Sequence, residues 1–301
     1  MIALLAAPFL VAVILGRIGP RVARDTQPGV AAWFVATSSV IAAGACAASL
    51  GLAGWFAVAD LPWVAGRGNW STAALARETP IPVVVAAAAL VIVGVMAAVT
   101  GYRVVGGARR LARAHAVHGG ADGALLVIQT DEVDAYALPR SIRHRGVVVV
   151  TRGLLVALDD PAHRRAVVEH EQAHLRGHHH FFRVAVQAAV TVNPLLRPYG
   201  QAIEDALERW ADREAARHVD AIVVAEAIVL VASKRPVGQG PRPQFAVTGS
   251  GVARRVDCLV TPSETTALVP CVLATAAFVL TIVPIVLACR STEAIFEHLM
   301  R

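Results

Sequence analysis

Four long stretches of the chain contain almost no charged residue. They cover residues 1–18, about 31–59, 80–102 and 267–289. Three of them are close to the roughly twenty residues that a helix needs to cross the hydrocarbon core of a bilayer. The second stretch is longer and can span with tilt. The pattern therefore predicts four transmembrane helices.

The segment between the third and fourth stretches is more polar, and its pattern changes along its length. Within residues 121–158, short β-branched runs alternate with Gly, Pro and Asp, which predicts two or three short strands, most clearly at residues 146–150. A helix is predicted next, from Ala162 to about His180. Further helices are predicted over residues 183–192, 199–219, 221–233 and 252–260, with a Gly- and Pro-rich loop over 234–250.

These patterns predict a mainly α membrane protein with one small mixed domain. Residues 1–102 would hold three transmembrane helices, residues 103–265 a cytoplasmic α+β domain with a small sheet, and residues 266–301 the fourth helix and a short tail. The hydrophobic fraction of 56% and the charged fraction of 17% are unusual for a soluble domain. A lipid bilayer is therefore an expected partner.

Several arginines lie directly beside the predicted transmembrane helices. Three lie within residues 17–29, and four follow the third helix at Arg103, Arg109, Arg110 and Arg113. Because positive residues are enriched in cytoplasmic loops, both segments are expected in the cytoplasm, with the N-terminus outside. The scarcity of lysine beside abundant Arg, Ala and Val is typical of bacteria with high G+C content, which indicates a bacterial plasma membrane. The arginines are not interleaved with stacking aromatics, so direct nucleic-acid binding is not expected.

The sequence VVEHEQAHLRGHHHFF, residues 167–182, contains an HExxH pattern inside the predicted helix. Positions four apart on a helix differ by only about 40° in direction, so His170 and His174 point the same way and can share one metal ion. Zinc accepts imidazole nitrogen as a ligand. Glu171, beside the first ligand, lies where it can act as the general base for a water that attacks a carbonyl. The pattern therefore predicts a Zn²⁺ site with its catalytic base.

One candidate for the third zinc ligand lies in the same stretch. His180 would complete the longer motif HExxHxxGxxH with Gly177. That motif is accompanied by a methionine-containing turn further along the chain. The methionines of this sequence are Met1, Met96 and Met300, none of which follows the motif within the polar block. His178, His179 and His180 are therefore interpreted as the polar end of the helix.

The favoured candidate lies on the next long helix, in ALERWADREAARH, residues 206–218. Glu208 and Asp212 are four residues apart and share one helix face. Glu208 would complete a His, His, Glu site. Asp212 would accept a hydrogen bond from the outer nitrogen of a ligand imidazole and fix its orientation.

HEQAH followed by ERWAD resembles the HExxH and ExxxD motifs of the integral-membrane gluzincin metallopeptidases. These include the HtpX and CAAX-prenyl type and the BlaR/MecR antibiotic-signalling type. DAYALP, residues 134–139, is similar to the NAFALP-type stretch of the first type, with Asp in place of Asn, and VVVTRGLL, residues 148–155, is similar to its strand and turn before the active-site helix. Asn193 with Pro194 and the layout of the four helices are more similar to the BlaR/MecR type.

The resemblance implies a gluzincin-type zinc peptidase domain whose protein or peptide substrate lies extended along a strand at the edge of the cleft. It assigns zinc to His170, His174 and Glu208, the base to Glu171 and the supporting role to Asp212. The residue that stabilises the oxyanion is left open among His218, Tyr199 and Arg213.

The function expected from these features is a membrane-anchored zinc metalloendopeptidase that cleaves a cytoplasmic or membrane-proximal protein. A transcriptional repressor is one candidate substrate, which would make the protein a component of signal transduction. One alternative is HtpX-like quality control of membrane proteins, and another is a non-catalytic signalling or scaffold protein with a vestigial zinc site. The penicillin-binding domain that follows the fourth helix in the BlaR/MecR type has no counterpart in the last residues, so direct β-lactam sensing is not expected.

Overall fold

The computed structural model describes residues 1–79, 81–117, 125–141, 145–234, 249–261 and 267–300. Within these residues the chain forms twelve α-helices and one three-stranded sheet. Four of the helices are long and apolar enough to cross a membrane: α1 (Ile2–Arg24), α2 (Pro28–Ala59), α5 (Val83–Val117) and α12 (Leu268–Leu299). The mainly α membrane architecture is confirmed.

The third apolar helix is longer than its sequence pattern indicates. A helix was expected over 80–102, whereas α5 begins at Val83 and continues to Val117, and Pro80 lies outside the described residues. The polar last part of α5 leaves the apolar bundle and packs Leu111 and Ala114 against the sheet. The apolar stretch therefore marks the part of the helix suited to lipid, and the helix itself extends further to support the polar domain.

The long helices have two distinct ends. At one end, the start of α1 and the ends of α2 and α12 pack together with two short helices, α3 (Pro62–Gly68) and α4 (Thr72–Glu78), which the apolar pattern does not predict. At the other end, the last part of α1 and the first part of α2 pack against the polar domain. The segments 25–27 and 103–117 thus lie on the side of that domain, and the segment 60–79 lies at the opposite end.

The polar domain begins with the predicted small sheet. Its strands are β1 (Leu125–Ile128), β2 (Ala135–Leu138) and β3 (Val147–Thr151). Their order is β1-β3-β2, with β1 parallel and β2 antiparallel to the fully buried β3. Consequently, β2 is an edge strand.

Helices make up the rest of the domain. They are α6 (Arg152–Ala157), α7 (Pro161–Arg176), α8 (His179–Val192), a short 3-10 helix (Pro194–Leu196), α9 (Arg197–Ala215), α10 (Ala221–Lys234) and α11 (Gly249–Val260). Most of the loop expected over 234–250 lies outside the described residues.

The helix expected from Ala162 to His180 is in fact two helices. α7 starts at Pro161, where the Asp160 side chain accepts a hydrogen bond from the Ala162 N–H, and it ends at Arg176. His178 then has a left-handed backbone, with φ of 51°. This turn redirects the chain into α8, so the last histidines of the motif do not continue the face of α7.

α9 lies directly against the apolar bundle. Tyr199, Ile203 and Leu207 are fully buried in a core that α1, α2 and α8 share with it. On the same helix, Arg209 is buried and donates hydrogen bonds to the carbonyl oxygens of Ala23, Arg24 and Thr26, where α1 ends. The apolar bundle therefore supports one face of α9, and the other face is turned toward α7.

Candidate active site

Three of the side chains predicted as zinc ligands converge between α7 and α9. His170 Nε2 lies 3.5 Å from Glu208 Oε2, and His174 Nε2 lies 3.4 Å from Glu208 Oε1. One ligand atom from each of the three residues falls within 4.8 Å of the other two. Among the described residues, this is the single such group of histidine, cysteine and acidic side chains, and His170, His174 and Glu208 are called the metal-binding group below.

This group has the chemistry of a metal site. Two imidazoles and one carboxylate form a donor set that catalytic zinc uses, with a further position left for water or substrate. Both histidines are buried, and His174 Nε2 makes no hydrogen bond to any described residue. A buried nitrogen without a hydrogen bond is costly unless it has another partner. The residues therefore fit a bound divalent metal ion.

Asp212 lies behind His170, one turn along α9 from Glu208. Its Oδ1 is 2.8 Å from His170 Nδ1, on the far side of the ring from Glu208. Burial alone would lower the pKa of His170, but the hydrogen bonds and charges of Asp212 and Glu208 outweigh it and raise this pKa to about 9. A proton on Nδ1 that is donated to Asp212 leaves Nε2 to bind a metal.

Two arginines that the sequence patterns did not single out surround the acidic side chains. Arg255 of α11 donates two hydrogen bonds to Asp212, each of 2.7 Å, and its third nitrogen lies 3.3 Å from Glu208. Arg183 of α8 donates to Glu208 at 3.1 Å and to Glu204 at 2.7 Å. Against the effect of burial, the pKa of Glu208 is held well below its usual value, mainly by the two adjacent histidines, with a smaller contribution from the charge of Arg255.

Glu171, the predicted base, is buried and faces the edge strand. Its Oε2 accepts a hydrogen bond of 2.9 Å from the backbone N–H of Ala137 in β2. HExxH spacing places Glu171 on α7 beside His170, and the strand fixes the direction of its carboxylate. Glu171 and the edge strand are therefore parts of one arrangement.

His179 is buried, unlike its neighbours His178 and His180. The sequence pattern had predicted all three as the polar end of the helix. His179 is 1% exposed, and its Nδ1 lies 2.7 Å from Nδ1 of His174. Burial, together with the nearby His174 and Arg183, lowers the pKa of His179 to about 2, so this ring is neutral. His178 is exposed, and His180 packs its ring on Phe181, outside the metal-binding group.

The residues considered for the oxyanion lie in different places. Tyr199 points away from the metal-binding group into the core between α1 and α2, where its hydroxyl lies 3.4 Å from that of Ser38. His218 is exposed after the end of α9, and Arg213 is half-buried one residue beyond Asp212. Tyr199 is therefore not positioned to contact a substrate at this site.

A cavity of about 80 Å³ lies beside the metal-binding group. Its polar wall consists of His170, Glu171, Glu208, Asp212 and Arg255. The remaining wall is mostly aliphatic and comes from α7, α10 and α11, with Ala135 of β2 and Leu154 of α6. The cavity thus joins the acidic and basic groups to an apolar surface.

Comparison with known protein families finds a match to peptidase family M48 over residues 107–237, which include all of α7 and α9. Comparisons with curated proteins and with solved structures found no significant match. The matched segment contains HEQAH, ERWAD and the edge strand, and four apolar helices flank it in the chain. Residues 107–237 are therefore similar to the metallopeptidase domain of family M48, and this match together with the four apolar helices fits a membrane gluzincin peptidase.

Proposed function

We propose that the protein is a zinc-dependent metalloendopeptidase in which His170, His174 and Glu208 hold the metal and Glu171 is the general base. The observation that carries this proposal is the convergence of the three ligand side chains from two helices, with Glu171 directed by the edge strand. A scaffold protein would require neither the buried acidic group nor its alignment with the strand.

Each side chain has a distinct part in the proposed reaction. A zinc ion held by the two histidines and Glu208 would supply a Lewis acid that polarises the scissile carbonyl and activates water. Glu171 takes the proton from the attacking water and delivers it to the amine that leaves. Asp212 holds the His170 ring through Nδ1, and Arg255 keeps the Asp212 carboxylate ionised and in place.

The edge of the sheet offers a binding position for an extended peptide. The Asp134 carbonyl accepts a hydrogen bond from the Thr151 N–H, so alternate backbone groups of this segment face β3. The N–H groups of Ala135 and Ala137 face the other way: Ala137 donates to Glu171 of α7, and Ala135 donates to Asp134 Oδ1. A substrate strand added along this edge would be held by main-chain hydrogen bonds, and the cavity would receive an apolar side chain.

We further propose that the polar domain is cytoplasmic and the N-terminus is outside. The arginine-rich segments 17–29 and 103–113 lie on the side of this domain, and the segment 60–79 lies at the other end of the bundle. Positive residues beside transmembrane helices favour the cytoplasm. The domain division 1–102, 103–265 and 266–301 is proposed on the same grounds, although α5 extends across the first boundary.

Regulatory cleavage of a cytoplasmic protein, such as a repressor, is the proposed use of this activity. It is supported by the position of α9, which carries Glu208 on one face and packs on α1 and α2 with the other. A rearrangement of the transmembrane helices would therefore reach a zinc ligand directly. HtpX-like turnover of membrane proteins is the alternative use of the same site.

The test compares the proteins cleaved in cells that express the wild type, Glu171→Gln or Glu169→Gln. Glu169 lies on the same helix and pairs with the exposed Arg176, which makes it a matched control. Glu171→Gln is expected to keep zinc and to lower the cleavage rate by about 10²- to 10⁴-fold, because the general base is lost. Glu169→Gln is expected to cleave normally.

The fragments themselves distinguish the two uses of the site. Regulatory cleavage predicts one new fragment, from a cytoplasmic DNA-binding protein, in the wild type and in Glu169→Gln. Turnover predicts fragments from many membrane proteins. Equal fragment patterns in the wild type and in Glu171→Gln would contradict a proteolytic function altogether.

A further inference from the structure

The short contact between His174 and His179 deepens the proposed function and rests on it. We propose that His179 is a positioning residue for the metal site: its Nδ1 accepts the hydrogen bond that His174 donates from Nδ1, which directs His174 Nε2 at the metal. His170 has its outer partner in Asp212, and His179 is the equivalent partner for the second histidine.

Proton counting on the two rings gives the direction of this hydrogen bond. A histidine that binds a metal through Nε2 carries its single proton on Nδ1. The Nδ1 atoms of His174 and His179 are 2.7 Å apart, which is a hydrogen-bonding distance, so one nitrogen must donate and the other must accept. With His174 as the donor, neutral His179 has its lone pair on Nδ1 and its proton on Nε2.

The local fold places His179 for this contact. The left-handed turn at His178 brings the first residue of α8 back beside the last turn of α7. Gly177 leaves room for the ring, because a Cβ at this position would overlap His179 Nε2. On the other side, the ring lies against Trp210 of α9, with centroids 4.8 Å apart. His179 is therefore held by α7, α8 and α9 together.

Gly177 and His179 thus have a role that differs from the one they would have in the longer motif HExxHxxGxxH. His180 would be the third ligand of that longer motif, but Glu208 occupies this place in the metal-binding group. Gly177 and His179 instead support the second ligand from behind. The neighbouring His178 and His180 make no hydrogen bond to His174 among the described residues, so they provide controls within the same run.

The experiment measures zinc affinity by chelator competition on the full-length protein in detergent, for the wild type, His179→Phe, His179→Asn and His180→Ala. Phenylalanine fills the space of the ring but cannot accept a hydrogen bond. The asparagine side-chain oxygen can occupy the place of Nδ1 and accept it. The visible absorption spectrum of the Co²⁺-loaded variants reports the ligand geometry independently of peptidase activity.

The expected result is a loss of zinc affinity of about 10- to 100-fold in His179→Phe, with an altered Co²⁺ spectrum. His179→Asn is expected to recover most of that affinity, and His180→Ala to bind as the wild type does. Wild-type affinity in His179→Phe would overturn the proposal, as would a loss in His179→Asn equal to that in His179→Phe, since packing alone would then explain the effect.

The proposed function has a separate control in the same assay. If Glu208→Ala bound zinc as tightly as the wild type, the ligand assignment itself would fail, and the role of His179 would fail with it. If Glu208→Ala loses zinc and His179→Phe does not, only the role of His179 is overturned.

Discussion

The two helices that supply the proposed zinc ligands rest on different parts of the molecule. α7 carries His170 and His174 and packs against the sheet and α10, with Val167 and Val168 beside the buried residues of β3 and α6. α9 carries Glu208 and packs against α1, α2 and α8. One side of the site is therefore supported by the sheet and α10 of the polar domain, and the other side rests on the apolar bundle.

Because α7 and α9 have different supports, the site is held together by the polar contacts between these two helices. The histidines of α7 meet Glu208 and Asp212 of α9, and Arg255 of α11 contacts both acidic side chains. These groups are buried, so their interactions are strong only when the geometry is complete. We expect that the contribution of each helix can be removed separately and that the effects on zinc affinity and activity will differ in size.

The largest effect is expected from removing the one ligand that α9 supplies. Glu208→Ala leaves two histidines and no carboxylate, so zinc affinity should fall by on the order of 10³-fold or more, and peptidase activity should disappear. Asp212→Asn keeps the ligand set and should cost about 10- to 100-fold in affinity. Metal content and chelator competition on the purified variants measure both effects.

Glu204 provides the control for this prediction. It also lies on α9 and pairs with Arg183, but it is outside the metal-binding group. Glu204→Ala should therefore keep zinc at the wild-type level. If Glu204→Ala and Glu208→Ala lost zinc equally, the effect would come from damage to α9 or Arg183 rather than from the loss of a ligand.

An intermediate effect on zinc affinity is expected from a change in pH. It acts through His170, the α7 side chain that contacts both Glu208 and Asp212 of α9. The His170 pKa of about 9 in the metal-free protein means that, below pH 9, zinc must displace a proton from the ring. Zinc affinity should therefore rise by about tenfold for each pH unit between pH 6.5 and 8. The direction follows from the raised pKa: the competing proton is bound more fully as the pH falls.

Asp212→Asn sharpens this prediction. Without the Asp212 charge, the pKa of His170 should move back toward its usual value, and zinc affinity should depend less on pH above about pH 7. Calorimetry in buffers of different ionisation enthalpy counts the protons released when zinc binds. A wild-type affinity that does not change between pH 6.5 and 8 would contradict the proton competition at His170.

The sequence could predict the parts of the site that depend on regular helical spacing. His170 and His174 are one turn apart, as are Glu208 and Asp212, so each pair shares a face once its helix forms. The role of His179 could not be predicted in this way, because it depends on the left-handed turn at His178. Gly is the usual residue in that conformation at a helix end, so a histidine there gives less warning of the end than a glycine would.

Arg255 was missed for a different reason. It is 43 residues from Asp212 in the sequence and lies on a helix whose approach to α9 is set by tertiary packing. Its bidentate contact with Asp212 becomes visible only once α11 is placed. In the same way, hydropathy predicted the apolar part of α5, but its extension to Val117 depends on contacts with the sheet. Sequence patterns therefore predicted which side chains share a face within one helix, but they did not predict the contacts between different helices and strands.

The smallest effect is expected from disturbing the support of α9 without touching the site. A Cβ on Gly16 of α1 would overlap the carbonyl oxygen of Leu195, in the short helix that leads into α9. Gly44 of α2 is the matched control, since a Cβ there meets nothing within 4 Å among the described residues. Both substitutions to alanine improve helix propensity by about 1 kcal/mol, so a difference between them reports the overlap alone.

Gly16→Ala should lower kcat by several-fold while zinc affinity changes by less than about threefold, because a small shift of α9 affects substrate alignment more than metal ligation. Gly44→Ala should keep the wild-type kcat. The measurement is peptidase activity of the zinc-loaded full-length proteins in one detergent, with zinc affinity determined in parallel. Equal kcat values for the two variants would mean that the apolar bundle does not constrain the site, and the two sides of the site would then be mechanically independent.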